Sequence, residues 1–193
     1  MTRRIDLLPD IHQACWRELA LAAQGKAHAW RMMALATVAI GAPGDTTAAA
    51  PMADLRTVVL REANPAERTL MFFTDARSPK VAQITAQPAA TLLVWCPQLS
   101  WQLRLRVQLV VETNGLAVSS RWARLKMKPA AQDYLSPLPP GTPLAHPRPE
   151  RGTREFFSVV LATVTAIDWL ELHPDGQRRA RFDAEGRGQW LTP

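Results

Sequence analysis

The segment at residues 101–112 constrains the fold of this chain more than any other. Leucine or valine stands at positions 103, 105, 107 and 109, and Gln102, Arg104, Arg106 and Gln108 stand between them. Side chains of a β-strand point alternately to opposite faces, so the segment is predicted to be a strand with one apolar and one polar face. A strand of this kind is typical of an antiparallel sheet.

Further strands are predicted on both sides of this segment. Runs rich in Val, Leu and Phe indicate strands at 35–40, 56–62, 69–74, 89–96, 155–172 and 178–183. Helices are expected at the breaks, with Asp10, Ser78 and either Ser119 or Ser120 as their N-caps. Because strands and helices do not alternate regularly, we expect a mainly β (α+β) fold: an antiparallel β-barrel flanked by a few helices, rather than a doubly wound sheet.

The 193 residues suit a single domain, 1–193. Within it we expect an N-terminal helix at 10–25, a core barrel at 35–114, and a C-terminal hairpin with a closing segment at 155–193. Six of the thirteen positions in 137–149 are proline, which predicts an extended or irregular loop.

Composition excludes several classes of protein. Cys15 and Cys96 are far apart in the sequence, so no disulfide framework or cysteine metal site is indicated. The longest uncharged apolar stretch, 156–167, is shorter than the roughly 18 residues of a membrane helix. Asp6 and Pro9 interrupt the position where a signal peptide has its apolar core, so we expect a cytoplasmic protein.

Residues 77–80, which read RSPK, are a candidate phosphate site. A helix start offers unpaired N–H groups and a positive dipole end, to which the Ser78 hydroxyl and the Arg77 and Lys80 charges would add. A capped surface helix with two solvated cations is the alternative. On the strand at 56–61, Arg56 and Arg61 either mark where the strand reaches the surface or bind the same anion as Lys80.

The order and spacing of these segments resemble the pyridoxamine 5'-phosphate oxidase family of FMN-binding split barrels. That family has an R-x-V-L-x-[RK] strand followed by F-[FY]-T-[ND]-x-x-S-x-K. Here residues 56–61 read RTVVLR, residues 72–80 read FFTDARSPK, and QLR follows at 102–104. The resemblance covers residues 35–111 well and the C-terminal segment more loosely.

The resemblance implies a homodimer that binds FMN at the subunit interface. The implied cofactor contacts are the phosphate ligands Arg56, Arg61, Lys80 and Ser78, the main chain of Thr57, Val58, Val59 and Leu60 beside the isoalloxazine, the flavin-contacting pair Phe73 and Thr74, Gln102 at the ring edge, and the C-terminal contacts Trp169 and Arg181.

The chain departs from the family pattern mainly where that pattern binds substrate. Pro79 replaces a basic residue before Lys80, which leaves Arg77 as the possible substitute, and Gln177 and Arg179 stand where an Arg-x-His pair grips pyridoxamine phosphate. The resemblance therefore implies a retained flavin site, with pyridoxamine phosphate in doubt as the substrate.

We accordingly expect an FMN-dependent oxidoreductase that acts on a small molecule and has no metal. Two alternatives stay open: a non-catalytic flavin-binding or sensor protein of the same fold, and a nucleic-acid-binding protein. The second rests on the net charge of +6 and on the basic stretch at 104–128. It lacks a nucleic-acid motif, so nucleic acid is not the expected partner.

Overall fold

Eight antiparallel strands form one sheet in the computed structural model, which describes residues 4–25, 27–39, 50–146, 151–152 and 155–193. They are β1 (Met32–Ala39), β2 (Met52–Asn64), β3 (Thr69–Asp75), β4 (Ala89–Cys96), β5 (Trp101–Glu112), β6 (Phe157–Glu171), β7 (Arg178–Phe182) and β8 (Gly188–Leu191). The order is β3-β2-β1-β4-β5-β6-β7-β8, and β3 also pairs with β6. This extra pairing closes the first six strands into a barrel, and β7 and β8 extend the sheet beyond it.

The predicted antiparallel barrel with a few flanking helices is thus confirmed, and the strand predictions agree with the structure apart from their ends. The first strand begins at Met32, three residues before the predicted start, and its predicted end at Ile40 lies outside the described residues. The described part of the proline-rich segment, 137–146, is irregular, and residues 147–149 lie outside the described part of the chain. No helix among the described residues is long and apolar enough to span a membrane.

Three α-helices flank the barrel: α1 (Leu8–Ala23), α2 (Pro79–Ala86) and α3 (Leu116–Leu125). Two short 3₁₀ helices, Ala29–Arg31 and Pro129–Tyr134, complete the helical structure of the described residues.

Only one of the predicted N-caps occupies its predicted position. Ser78 precedes α2 as expected. Asp10 lies inside the first turn of α1, because Pro9, whose φ angle already suits a helix, lets the helix begin two residues earlier. Ser119 and Ser120 lie inside α3, where their hydroxyls donate to carbonyls three residues back, and the helix begins after Gly115.

The barrel interior is filled by alternate residues of its strands. Leu103, Leu105, Val107 and Leu109 of β5 are buried, and the polar residues between them point outward, as their alternation predicts. One face of α1 covers an open side of this core. A second, smaller apolar cluster joins α3 and the segment at 129–134 to the outer side of β3 and β6.

The strands β2 and β3 separate partway along their length, and this separation shapes the candidate site. They pair from Leu60 opposite Phe72 to Asn64 opposite Thr69, with a bulge at Arg61. Beyond Leu60, residues 52–59 of β2 pair with β1, and residues 73–75 of β3 pair with β6. No ladder joins these two stretches among the described residues, so a cleft opens between them, with α2 at its end.

Candidate functional site

A lysine and two hydroxyl groups meet where β3 leads into α2. Lys80 stands in the first turn of α2, and its Nζ donates to Ser78 Oγ at 2.6 Å and to Thr74 Oγ1 at 3.0 Å. Ser78 makes no side-chain capping bond to the helix. Its hydroxyl therefore belongs to the lysine cluster.

A second cation reaches this cluster from β2. Arg56 donates to Gln83 Oε1 at 2.8 Å and also to Thr37 Oγ1, and it pairs with Asp54 at the open edge of its strand. Burial and then the charge of Arg56 hold the pKa of Lys80 below its usual value of 10.5. A bound dianion would relieve this repulsion. We call the group formed by Arg56, Thr74, Ser78 and Lys80 the cationic cradle.

The cradle has partners that the sequence interpretation did not include. Thr37, Asp54 and Gln83 orient Arg56 from β1, β2 and α2. Gln83 was detectable, because it stands three residues after Lys80 on a predicted helix and so shares its face. Thr37 had no such signal, because it meets the cluster only through the pairing of β1 with β2. Asp54 lies two residues before Arg56 on the same strand, just outside the predicted strand 56–62.

The main chain of β2 runs from the cradle along the cleft. Val58 and Leu60 turn their side chains into the core, and Thr57 and Val59 face outward. On the side toward β3, residues 57–59 have no ladder partner among the described residues. The cleft thus offers a run of backbone donors and acceptors beside an anion site, which suits a flat, polar-edged ring attached to a phosphate.

Arg61 lies away from the cradle within one protomer. Five residues separate it from Arg56, which is about 16 Å along a strand. The Arg61 guanidinium carbon lies 5.7 Å from the centroid of the Phe73 ring. Its Nε is buried without a hydrogen-bond partner among the described residues.

The side chains of Phe73 and Thr74, which were predicted to contact the flavin together, point to opposite faces of β3. Thr74 turns to Lys80, whereas Phe73 packs edge-on against Phe157, with centroids 4.8 Å apart. Only Thr74 belongs to the cradle.

Gln102 and Arg181 lie on the outer face of the sheet, on β5 and β7. Arg181 lines a cavity of about 270 Å³ in which Arg104 and Arg179 both bind Asp168, each at 2.7 Å. Burial raises the pKa of this carboxyl group, but the hydrogen bonds and charges of the two arginines outweigh it and lower the pKa overall. This end of the sheet is cationic and does not contact the cradle of its own subunit.

Trp169 occupies the core. Its side chain is fully buried and packs edge-on against Trp101, with centroids 5.4 Å apart. Its own subunit therefore covers it completely, and a contact between this indole and a cofactor would require the core to open.

Arg77 binds groups outside the cradle and does not add its charge to it. Its guanidinium group binds Asp75, stacks on the Phe156 ring at 3.3 Å, and donates to the carbonyl oxygens of Ser136 and Pro137. It ties the proline-rich segment to the barrel. The basic residue missing at Pro79 is thus not replaced by Arg77.

Comparison with known proteins agrees with this fold. A pyridoxamine 5'-phosphate oxidase-related, FMN-binding protein from Nostoc punctiforme has a TM-score of 0.69 at 22% identity, and the match covers 98% of this chain and 100% of that one. PhzG from Burkholderia lata, in complex with tetrahydrophenazine-1-carboxylic acid, has a TM-score of 0.70 at 18% identity, with 98% of each chain covered. At these identities the likeness shows a shared fold.

A weaker structural match is the heme binding protein of Mycobacterium smegmatis, with a TM-score of 0.50 at 16% identity, covering 95% of this chain and 61% of that one. A search of curated protein sequences finds no match.

The sequence itself matches the family model described as pyridoxamine 5'-phosphate oxidase, FMN-binding domain, over residues 13–113. The match includes α1 from residue 13 onward, all of the cradle and the open edge of β2. A cation pair beside hydroxyl groups and free main chain is a donor set that fits a flavin phosphate. The cofactor is therefore FMN, and the chain belongs to the pyridoxamine 5'-phosphate oxidase family of FMN-binding split barrels.

Proposed function

We propose that this protein is a homodimeric FMN-dependent oxidoreductase acting on a small molecule. The observation that carries the proposal is the cationic cradle beside the edge of β2 that faces β3, where residues 57–59 have no ladder partner among the described residues. Arg56 and Lys80 neutralise the phosphate, and Thr74 and Ser78 orient the lysine. Residues 57–59 offer backbone groups to the ring edge. Bound FMN supplies the hydride or electron transfer.

A second subunit is proposed because the predicted contacts are far apart in one chain. Strand pairing connects Thr57, through Ala34, Leu93, Arg104 and Asp168, to Arg181 in a single row across six strands. Neighbouring strands lie about 4.8 Å apart, so the row measures roughly 24 Å along the curved outer surface of the sheet. We therefore propose that Arg181 reaches a cofactor beside Thr57 from another copy.

The outer face of the sheet has the chemistry of a subunit interface. Met32, Leu55, Leu93 and Trp95 are large apolar side chains on this face, with exposed fractions between 36% and 65%. Adjacent apolar side chains of this kind mark association surfaces. A second copy is the occupant that also supplies the missing cofactor contacts.

Replacing Leu55 with aspartate is expected to convert the dimer to a monomer and to lower the FMN content with it. A carboxylate buried at an apolar interface is strongly unfavourable. Light scattering coupled to size exclusion, with the flavin absorbance of each peak, measures both effects. Leu116→Asp is the control, because Leu116 is 83% exposed on α3, away from this face. A dimer that survives Leu55→Asp would reject this interface.

FMN affinity is expected to fall as the pH rises through the lowered pKa of Lys80. The free protein loses the Lys80 proton below pH 10.5, whereas a bound phosphate dianion favours the charged amine, so binding takes up a proton in this range. Fluorescence titration with FMN at a series of pH values measures the loss. Lys80→Arg keeps its charge throughout and should flatten the profile. An identical profile in both proteins would assign the dependence to another group.

The proposed activity is tested by reducing the bound FMN with light in the absence of oxygen, then following its reoxidation in stopped flow. Oxygen, quinones and oxidised nicotinamide cofactors are the acceptors. Reoxidation by one of them much faster than that of free reduced FMN supports an oxidoreductase. Reoxidation no faster than that of free flavin with every acceptor would favour the non-catalytic flavin-binding alternative.

A further inference from the structure

The hairpin formed by β7 and β8 packs on α1 around one histidine. His12 of α1 is half-buried, and its ring centroid lies 5.2 Å from that of Phe182, which is fully buried at the end of β7. The turn of the hairpin lies against the same imidazole, because a Cβ atom added at Gly186 would be 2.8 Å from His12 Cε1. The φ angle of Gly186, +80°, also favours glycine. The imidazole thus fills the contact between α1 and the turn of the hairpin.

The hydrogen bond that His12 accepts requires a neutral ring. Trp16 Nε1 donates to His12 Nε2 at 3.2 Å, so Nε2 carries no proton in this arrangement. Protonation would place an N–H group opposite the indole N–H, which breaks the bond and leaves two donors facing each other. Burial accordingly lowers the pKa of His12, and the charge of Asp183 opposes this effect only in part.

Asp183, the charged group of the hairpin that acts on His12, is already paired. Its carboxylate accepts from Arg187 Nε at 2.7 Å, and Arg187 also binds Glu185. The bond to Arg187 holds the pKa of Asp183 below its usual value. Arg68 approaches from the β2–β3 turn and donates to a carbonyl oxygen of the hairpin turn, and β8 has no charged residue. Carboxylate and guanidinium groups titrate far from neutral pH, so His12 is the group of this contact that titrates near it.

We propose that His12 is a positioning residue, which holds the β7–β8 hairpin on α1 while its ring is neutral and releases it when the ring is protonated. Arg181 and Phe182 are neighbours on β7 and point to opposite faces, one exposed and one buried. Release of Phe182 from the imidazole therefore loosens the end of β7 that carries Arg181. The effect on FMN rests on the proposed function, in which Arg181 reaches the cofactor of another copy; the docking of the hairpin does not.

Acidic pH is the condition that loosens the hairpin. A histidine exposed by opening takes up its proton near pH 6.5, whereas His12 in the docked hairpin does so at a lower pH. Below about pH 6.5 the open form therefore binds more protons and docking loses stability, and above this pH the full stability is present. One proton for each opening event changes the opening equilibrium by at most about tenfold per pH unit.

The test is hydrogen exchange of the backbone amides of residues 183–191, with each rate divided by the intrinsic rate of an open chain at the same pH. In the unaltered protein the opening constant should rise at least about threefold from about pH 8 to about pH 5. His12→Gln offers an amide oxygen to Trp16 but does not titrate, so its opening constant should not change over this range. An equal rise in both proteins would overturn the proposal.

His173→Gln is the matched control. His173 lies in the connection that precedes β7, at the opposite end of that strand, where its Nδ1 accepts from the Asp175 N–H. The same substitution there should leave the pH dependence of the hairpin as it is in the unaltered protein. If His173→Gln also abolishes the rise, the proton is not taken up at His12 and the proposal fails.

Gly186→Ala is a second variant, which tests the same contact from the hairpin. A methyl group there strains the backbone and meets the His12 ring, so the hairpin should be open more often at every pH. At about pH 8 its opening constant should reach at least that of the unaltered protein at about pH 5. Full protection of residues 183–191 in this variant would show that the turn does not dock on the imidazole.

FMN titrations over the same pH range test the positioning role separately. The phosphate group of FMN itself takes up a proton near about pH 6, so the unaltered protein is compared with His12→Gln at each pH. The loss of affinity at acidic pH should be larger in the unaltered protein. Hairpin release without this difference would reject His12 as a positioning residue. A chain that takes up no FMN at any pH, but still releases its hairpin, would reject the proposed function and uphold the docking on His12.

Discussion

Lys80→Ala is expected to lose most of its bound FMN, with a dissociation constant about 10- to 100-fold higher than that of the unaltered protein. Among the described residues, Lys80 Nζ is the only cation that donates to the two hydroxyls of the cradle. A hydrogen bond to a charged partner contributes about 1.5–3 kcal/mol. Equilibrium dialysis with FMN, together with the flavin-to-protein absorbance ratio after purification, measures the loss.

Two readouts separate loss of a ligand from loss of fold. Burial and the charge of Arg56 disfavour the charged amine in the free protein, so the melting temperature of the cofactor-free Lys80→Ala protein should not fall. Lys126→Ala makes the same chemical change at an exposed helix end and should keep its FMN. Equal FMN loss in the two variants would remove Lys80 from the phosphate site.

Trp169→Ala is expected to destabilise the protein by about 3–5 kcal/mol, because it empties the volume of a fully buried indole. Urea unfolding followed by circular dichroism measures the change in the free energy of unfolding. The resemblance to the family implied a flavin contact at this position, whereas the structure buries the indole against Trp101. A flavin contact predicts that the variant loses FMN while it stays folded, whereas core packing predicts that it loses stability.

Trp190→Ala is the comparison for this effect. Trp190 is 43% exposed and lies 6.3 Å from the Trp169 ring centroid, so its removal leaves a smaller cavity and should cost roughly 1 kcal/mol or less. If Trp169→Ala unfolds at the same urea concentration as the unaltered protein but loses FMN, the indole contacts the cofactor and the core packing described above is not the state in solution.

The elements near the cradle were predictable because their signals are local. The alternation of apolar and polar residues on β5 predicted which face is buried, and the Ser78-Pro79 pair predicted where α2 begins. The motif from Arg56 to Lys80 predicted both cations of the cradle, and Arg56 and Lys80 lie close enough in the structure for their charges to interact. The helix starts at Leu8 and Leu116 were not predicted. The first helix begins with a proline in its first turn and α3 follows Gly115, whereas the prediction relied on the capping side chains Asp10, Ser119 and Ser120.

The partners of Arg77 could not be predicted from the sequence. Arg77 is two residues from Asp75 and three from Lys80, and only the structure shows that it binds the Asp75 carboxylate and the carbonyl oxygen of Ser136.

The sequence by itself determined the barrel, the family and the two cations of the cradle, because alternation, turn residues and motif spacing act over a few neighbouring positions. The tertiary structure decided which groups face one another: Arg61 lies away from the cradle that contains Arg56, and Trp169 is enclosed in the core. Those outcomes depend on strand register and on the point where β2 leaves β3, which are set by contacts between residues far apart in the chain.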